Sequence, residues 1–177
     1  AGPLLLGTAV GTLFTGANFT VDRLNLANGA GSGSATVISQ WTTPWHGLEA
    51  LGDLRNVALG LAVMFLAMTL ACQYFMNNID DKTIHERARK RMAVFAVPFL
   101  VFFLTFFVWL LFSGGRAVDT AGRISIESYK YLHNLLAMPY VAAVLLIGVG
   151  AVLWSIFLGW RGRRNAIWFG GAGTVLT

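Results

Sequence analysis

The residues of this chain best suited to acid–base chemistry or to metal binding are its three histidines: His46, His85 and His133. His46 is followed by Glu49 and Asp53, a spacing that would place the three side chains on one face of a helix. No set of His, Cys, Asp and Glu has metal-ligand spacing, and the sequence contains neither a phosphate-binding glycine loop nor a nucleophile elbow. The sequence therefore predicts no catalytic, cofactor-binding or metal site within this chain.

The elements that must position these side chains are long stretches without charge. Residues 56–76 and 92–112 each comprise twenty-one residues with no charged side chain, and the block 80–91 between them holds nine acidic, basic or imidazole groups. As helices rising about 1.5 Å per residue, such stretches would cross the ~30 Å hydrocarbon core of a bilayer. Charged residues make up only 12% of the chain and apolar ones 56%, which argues against an ordinary soluble domain.

The sequence predicts an all-α fold, a polytopic bundle of transmembrane helices in which residues 1–177 form a single membrane-embedded unit. We expect four spans and a truncated fifth, at residues 1–19, 56–76, 92–112, 138–158 and 166–177. There is no initiator methionine, and the last apolar segment has only twelve residues, so we expect an internal fragment of a longer protein. The single cysteine, Cys72, cannot form an intrachain disulfide.

Three patterns within these segments predict how the helices pack. Small residues recur at every fourth position in two segments, which is typical of closely approaching helices: Gly7, Gly11 and Thr15, and Ala151, Ser155 and Gly159. One face of the second segment should contact other helices, where its glutamine can find a hydrogen-bond partner: Thr69, Cys72, Gln73 and Met76. A phenylalanine stripe faces lipid or a partner helix, or alternatively lines a gas conduit or an isoprenoid groove: Phe95, Phe99, Phe102, Phe103, Phe106 and Phe107.

The distribution of Lys and Arg predicts the orientation of the bundle. The loops 77–91 and 159–165 carry eight basic residues in 22 positions, whereas the loops 20–55 and 113–137 carry five in 61. Because basic residues concentrate in short cytoplasmic loops, we expect the first pair of loops in the cytoplasm and the second pair outside. His85 is then expected to be a solvated side chain of a cytoplasmic loop.

The polar residues near the outer interface allow two interpretations. His46, Glu49 and Asp53 could form an interfacial helix cap with a carboxylate paired to Arg55. Alternatively, they could form a polar entrance for protons or for the head group of a quinol. Asp22, just beyond the first segment, is interpreted as a turn or cap residue in preference to a proton carrier.

Three stretches carry a more specific pattern of residues. The central one comprises Pro44–Leu51 (PWHGLEAL), Asp53–Ala62 (DLRNVALGLA) and Tyr74–Asp80 (YFMNNID). Two others agree in order and spacing: Gly11–Gly16, leading to Phe19 and Asp22, and Tyr129–Leu135, followed by Pro139. Over roughly residues 7–173, this pattern resembles subunit II of the cytochrome bd quinol oxidases.

The resemblance implies a subunit of a respiratory complex in the bacterial cytoplasmic (inner) membrane. That complex oxidises quinol, reduces dioxygen to water and contributes to the proton gradient, so it is a quinol:oxygen oxidoreductase. The resemblance places the b-type and d-type haems and the quinol-oxidising site in the partner, subunit I. This chain then supports subunit I and binds no haem itself; the resemblance implies an enzyme as part of the complex and leaves open whether the chain is one alone. The expected partners of this chain are subunit I and the lipid bilayer, with a quinone as a candidate ligand. No nucleic-acid partner is expected.

Some of the family pattern is missing from this chain. The N-terminal motifs of the family near the proton pathway do not occur in it, and neither do the C-terminal helices, so we assign no proton-pathway or haem residue by resemblance. One alternative function is a small-solute or ion transporter, for which segment 1–19 is the best candidate for an unwound helix. Another is a membrane-embedded interaction or sensor module, which would be expected to carry a soluble domain.

Overall fold

A computed structural model describes residues 1–21, 39–118 and 124–177 of the chain. Six helices lie in these ranges: α1 (Gly2–Thr15), α2 (Leu54–Asn78), α3 (Lys82–Phe112), α4 (Lys130–Ala137), α5 (Pro139–Trp160) and α6 (Ala166–Leu176). By length and composition, α2, α3 and α5 can each cross a membrane. The predicted all-α membrane bundle is confirmed. Asp22, for which a turn or cap role is predicted, lies outside the described residues.

The first segment is helical over a shorter range than the predicted span 1–19. Helix α1 ends at Thr15, because Gly16 adopts a φ of 90°, and Phe19 already begins a strand. Its 14 residues cover about 21 Å, less than the ~30 Å hydrocarbon core. A span at this position therefore stays a prediction, as does the truncated fifth span, where α6 has 11 residues.

Most of the charged block is helix, which corrects the predicted loop 77–91. Helix α2 extends to Asn78, and α3 begins at Lys82, so the connection is only three residues long. Asp81 caps α3 by accepting a 2.8 Å hydrogen bond from the Ile84 backbone N–H. This bond satisfies one of the free donors at the helix start, so the helix can begin well before the uncharged stretch.

The connecting segments predicted to lie outside the cytoplasm contain regular structure that the sequence did not predict. Strand β1 (Phe19–Val21) pairs antiparallel with β2 (Ser39–Trp41), and β3 (Gly115–Val118) pairs antiparallel with β4 (Ile124–Glu127). A 3-10 helix, Leu48–Gly52, leads directly into α2. The predicted polar loop 113–137 therefore contains the β3–β4 hairpin and α4.

Helix α1 packs closely against α2 through small residues, as its four-residue spacing predicts. A methyl group on Gly7 would lie 2.8 Å from the Cα of Gly60, and one on Gly11 would lie 2.6 Å from Oδ1 of Asn56. Both distances are too short for a side chain. The backbones of α1 and α2 therefore approach more closely than any larger residue would permit.

The core of the bundle lies among α2, α3 and α5. One buried cluster joins Cys72 and Met76 to Ala88 and Met92, and a second joins Ala62 to Phe99 and Val152. All four residues of the predicted packing face of α2 are buried, so that prediction is confirmed. The rings of Phe65 and Phe102 stack with centroids 6.1 Å apart, so part of the phenylalanine stripe contacts a partner helix.

Candidate functional site

A polar cavity of about 420 Å³, here called the outer cavity, lies at the end of the bundle that is predicted to face outward, between the C-terminal end of α1 and the segment that leads into α2. Helix α1 contributes Thr12 and Thr15, and the 3-10 helix contributes Glu49. Further polar or aromatic side chains of the lining include Trp41, His46, Asp53 and Asn56. The structure thus brings the predicted residues His46, Glu49 and Asp53 to one site.

The way in which these three residues meet differs from the prediction of a single helical face. His46 has a φ of 48° and Gly47 a φ of 98°, so the chain turns sharply before the 3-10 helix. A methyl group on Gly47 would lie 3.2 Å from the Trp41 ring, which favours glycine at the turn for a second reason. His46 precedes the 3-10 helix, Glu49 lies in it, and Asp53 follows it.

Asp53 has the structural role that the first interpretation assigns to it. Its Oδ1 accepts a 2.9 Å hydrogen bond from the backbone N–H of Arg55 and caps α2. The Arg55 guanidinium forms an ion pair with the same carboxylate and lies over the Trp109 ring, 4.7 Å from its centroid. Hydrogen bonding from this guanidinium lowers the pKa of Asp53 below its usual value. The predicted cap and its pairing with Arg55 are confirmed.

Glu49 differs from Asp53 because one of its oxygens is enclosed without compensation. Oε1 of Glu49 is buried and has no hydrogen-bond partner among the described residues. A carboxylate oxygen in this position requires a donor, such as a water molecule or the polar group of a ligand in the cavity. Glu49 is therefore the residue of this cavity that can accept a hydrogen bond from a ligand.

The inner end of the cavity is formed by a hydrogen bond between two helices. Thr15 Oγ1 in α1 donates a 3.0 Å hydrogen bond to Oδ1 of Asn56 in α2. Asn56 is only 2% exposed, so this amide is a polar group inside the helix packing. Polar side chains therefore line the cavity from His46 at the surface to the buried contact between α1 and α2.

His133 and His85 lie apart from this cavity. His133 Nδ1 is 3.0 Å from Oε1 of Glu127, and Lys130 Nζ donates a 2.7 Å hydrogen bond to Oε2 of the same carboxylate. These two neighbours, Lys130 first, lower the pKa of Glu127. His85 lies in the first turns of α3, is partly exposed and lines a cavity together with Gly162. Neither histidine joins His46.

A second polar group lies deep in the bundle. Gln73 of α2 is fully buried, and its Nε2 donates a 3.3 Å hydrogen bond to Ser155 Oγ of α5. The predicted partner for Gln73 is therefore found. No sequence pattern predicts that Thr12, Thr15 and Asn56 line the outer cavity, although the GxxxT spacing of α1 indicates close packing with a neighbouring helix.

Comparison with known proteins gives one family match. The sequence model of the family described as cytochrome bd terminal oxidase subunit II matches residues 1–177, which is the whole sequence given. A comparison with curated proteins gives no match.

Proposed function

This chain belongs to the cytochrome bd terminal oxidase subunit II family, and on that premise we propose that it is the helical support of the haem-carrying subunit I. The family makes it an integral membrane component of a respiratory terminal oxidase. In the proposed complex, subunit I oxidises quinol and reduces dioxygen to water. The family match is the observation that carries the proposal.

The placement of possible iron ligands supports the division of roles between the subunits. Haem iron is usually held by histidine, methionine, cysteine or tyrosine side chains that face a cavity. His85 lies in the first turns of α3, His133 lies in the eight-residue helix α4, and His46 lies in a turn at the surface. Met76 and Met92 are enclosed in the packed core. This placement supports our proposal that the haems are held by subunit I.

The exposed apolar surface of the bundle supports a membrane partner. Large apolar side chains on α3 and α5 are exposed along most of the length of both helices, including Val97 and Leu104 on α3 and Leu146 and Ile147 on α5. Apolar faces of this extent must be covered by lipid or by another membrane protein. We propose that subunit I covers part of this surface, in the bacterial cytoplasmic membrane, with the basic ends of α3 and α5 in the cytoplasm.

We further propose that the outer cavity admits protons or a quinol head group to the complex. The unpartnered Oε1 of Glu49 supports this role, because it can accept a hydrogen bond from water or from a quinol hydroxyl. Asp53 is already paired with Arg55. The cavity, which His46 also lines, therefore offers one carboxylate oxygen without a partner among the described residues.

A tagged full-length protein, purified from native membranes in mild detergent, tests the central proposal. We expect a haem-containing membrane partner to copurify and the complex to consume oxygen with quinol as the electron donor. Replacing His46, His85 and His133 with alanine, one at a time, should leave the haem-to-complex ratio unchanged. One equivalent of haem on this chain expressed alone would contradict the proposal, and solute uptake by proteoliposomes would favour the transporter alternative.

A further inference from the structure

The seam between α3 and α5 contains a cavity of about 400 Å³ on the basic side of the bundle. Its lining combines one face of α3 with the last residue of α5: Glu86, Arg89, Lys90, Ala93 and Trp160. Arg89 Nε donates a 2.7 Å hydrogen bond to the Trp160 carbonyl oxygen, across the seam. This bond fixes the guanidinium at the cavity and leaves its terminal nitrogens without a hydrogen bond in the described part of the chain.

Two basic side chains and one acidic side chain line this cavity. Arg89 and Lys90 are cations, and Glu86 lies one helical turn before Lys90 on the same face. Within residues 1–21, 39–118 and 124–177, none of the three forms an ion pair. Two cations beside one carboxylate match a ligand that carries one anionic and one cationic group.

The same seam is apolar farther into the bundle. Val97 and Leu104 continue the face of Ala93 along α3 and are 63% and 53% exposed. Leu100 lies seven residues beyond Ala93, about 10 Å along the helix, and lines an apolar cavity of about 360 Å³. On the α5 side, Leu153 lines this second cavity. The charged cavity is thus followed by an apolar path of the kind that an acyl chain requires.

From this arrangement we propose that the seam binds one molecule of phosphatidylethanolamine. The phosphate would lie between Arg89 and Lys90, which suit a charge-assisted interaction, and the ammonium would donate to Glu86. One acyl chain would follow Val97 toward Leu100. Trp160, which is 59% exposed, would pack beside the glycerol region, where indole rings are enriched in membrane proteins. Phosphatidylglycerol lacks the cation that Glu86 requires, and phosphatidylcholine lacks its N–H donors.

Native mass spectrometry of the full-length protein in detergent tests this site. The protein, with any partner that copurifies, would be titrated with the ethanolamine, glycerol and choline lipids carrying identical acyl chains. We expect the ethanolamine lipid to bind tightest and Lys90→Gln to weaken it by about tenfold or more, the effect of one lost charged hydrogen bond. Glu86→Gln should remove the preference for the ethanolamine lipid over the glycerol lipid. Inorganic phosphate should not compete.

Lys82→Gln is the matched control, because Lys82 lies on the same helix but lines a different cavity. It should bind the ethanolamine lipid like the unaltered protein. Equal binding by the Lys90→Gln and Lys82→Gln variants would overturn the proposal, and so would equal binding of the three lipids. The measurement requires no oxidase activity, so its failure is distinguishable from failure of the proposed function.

Discussion

Gln73 Nε2 in α2 donates a 3.3 Å hydrogen bond to Ser155 Oγ in α5, and the two residues are 82 positions apart. Ser155 Oγ in turn donates its only proton to the Val152 carbonyl oxygen at 2.8 Å, so toward Gln73 it can act only as an acceptor. This fixes the orientation of the Gln73 amide. Its Oε1 then points toward Gly170 of α6 and has no conventional hydrogen-bond partner within the described residues.

We predict that Gln73→Ala destabilises the protein by about 2 kcal/mol, because it removes a buried side chain and leaves the Ser155 hydroxyl without its donor. Ser155→Ala removes the acceptor alone and should cost less. In a double-mutant cycle the coupling between the two positions should be about 0.6 kcal/mol, typical of interhelical hydrogen bonds in membranes. Thermal unfolding in detergent provides the measurement, and strictly additive effects would show that the bond contributes nothing.

Gly170 and Gly171 provide a matched pair of substitutions in α6. A methyl group on Gly170 would lie 2.7 Å from Oε1 of Gln73 and 3.0 Å from Oγ of Ser155, whereas one on Gly171 would have no neighbour within 4 Å. We therefore expect Gly170→Ala to destabilise the protein by roughly 1–3 kcal/mol through overpacking. Gly171→Ala should be neutral or stabilise α6 by up to about 1 kcal/mol. The same thermal assay compares them, and equal effects would argue against close packing at Gly170.

The long helices could be predicted from sequence because the bilayer imposes a simple rule. Inserting a charged side chain at the centre of a span costs roughly 3 kcal/mol of free energy. A long uncharged stretch such as 56–76 therefore predicts a transmembrane helix. The start of α3 followed a different rule. Asp81 caps the helix at a position where the surrounding charges suggested a loop, because helix formation outside the hydrocarbon core is not penalised by charge.

Three residues of the outer cavity could be predicted from sequence, but its geometry and its other residues could not. Titratable groups are rare in this chain, so His46, Glu49 and Asp53 are candidates from their residue types and spacing alone. Their meeting depends on positive φ angles at His46 and Gly47, which no periodic pattern encodes. The contribution of Thr15 depends on packing between α1 and Asn56, 41 residues later, and such distant contacts leave no local signal.

Acid should weaken the cap at the start of α2. Because Arg55 lowers the pKa of Asp53 in the folded protein, the ion pair contributes its stability above the usual pKa near 4 and loses it as pH falls through the lower folded value. Asp53→Asn retains a capping side chain but no charge, so it should cost about 0.5 kcal/mol at neutral pH and nothing in strong acid. Asp53→Ala, which also removes the cap, should cost about 1 kcal/mol more at either pH.

Unfolding of these two variants and the unaltered protein, followed at several pH values between neutral and strongly acidic, checks the expectation. A constant difference between Asp53→Asn and the unaltered protein across this range would contradict the role of the Arg55 pair.

Glu49 should matter for turnover more than for folding. Its Oε1 is buried without a partner among the described residues, so Glu49→Gln removes a poorly compensated charge and should leave the unfolding temperature unchanged or slightly higher. If the cavity admits protons or a quinol head group, the same variant should lower quinol-dependent oxygen consumption by about tenfold or more, as expected for loss of a proton-transferring group. Glu127→Gln is the control, since this carboxylate also lies in a segment predicted to be on the outer side but is paired with Lys130 and His133. Full turnover in Glu49→Gln, with normal complex assembly, would mean that the outer cavity has only a structural role.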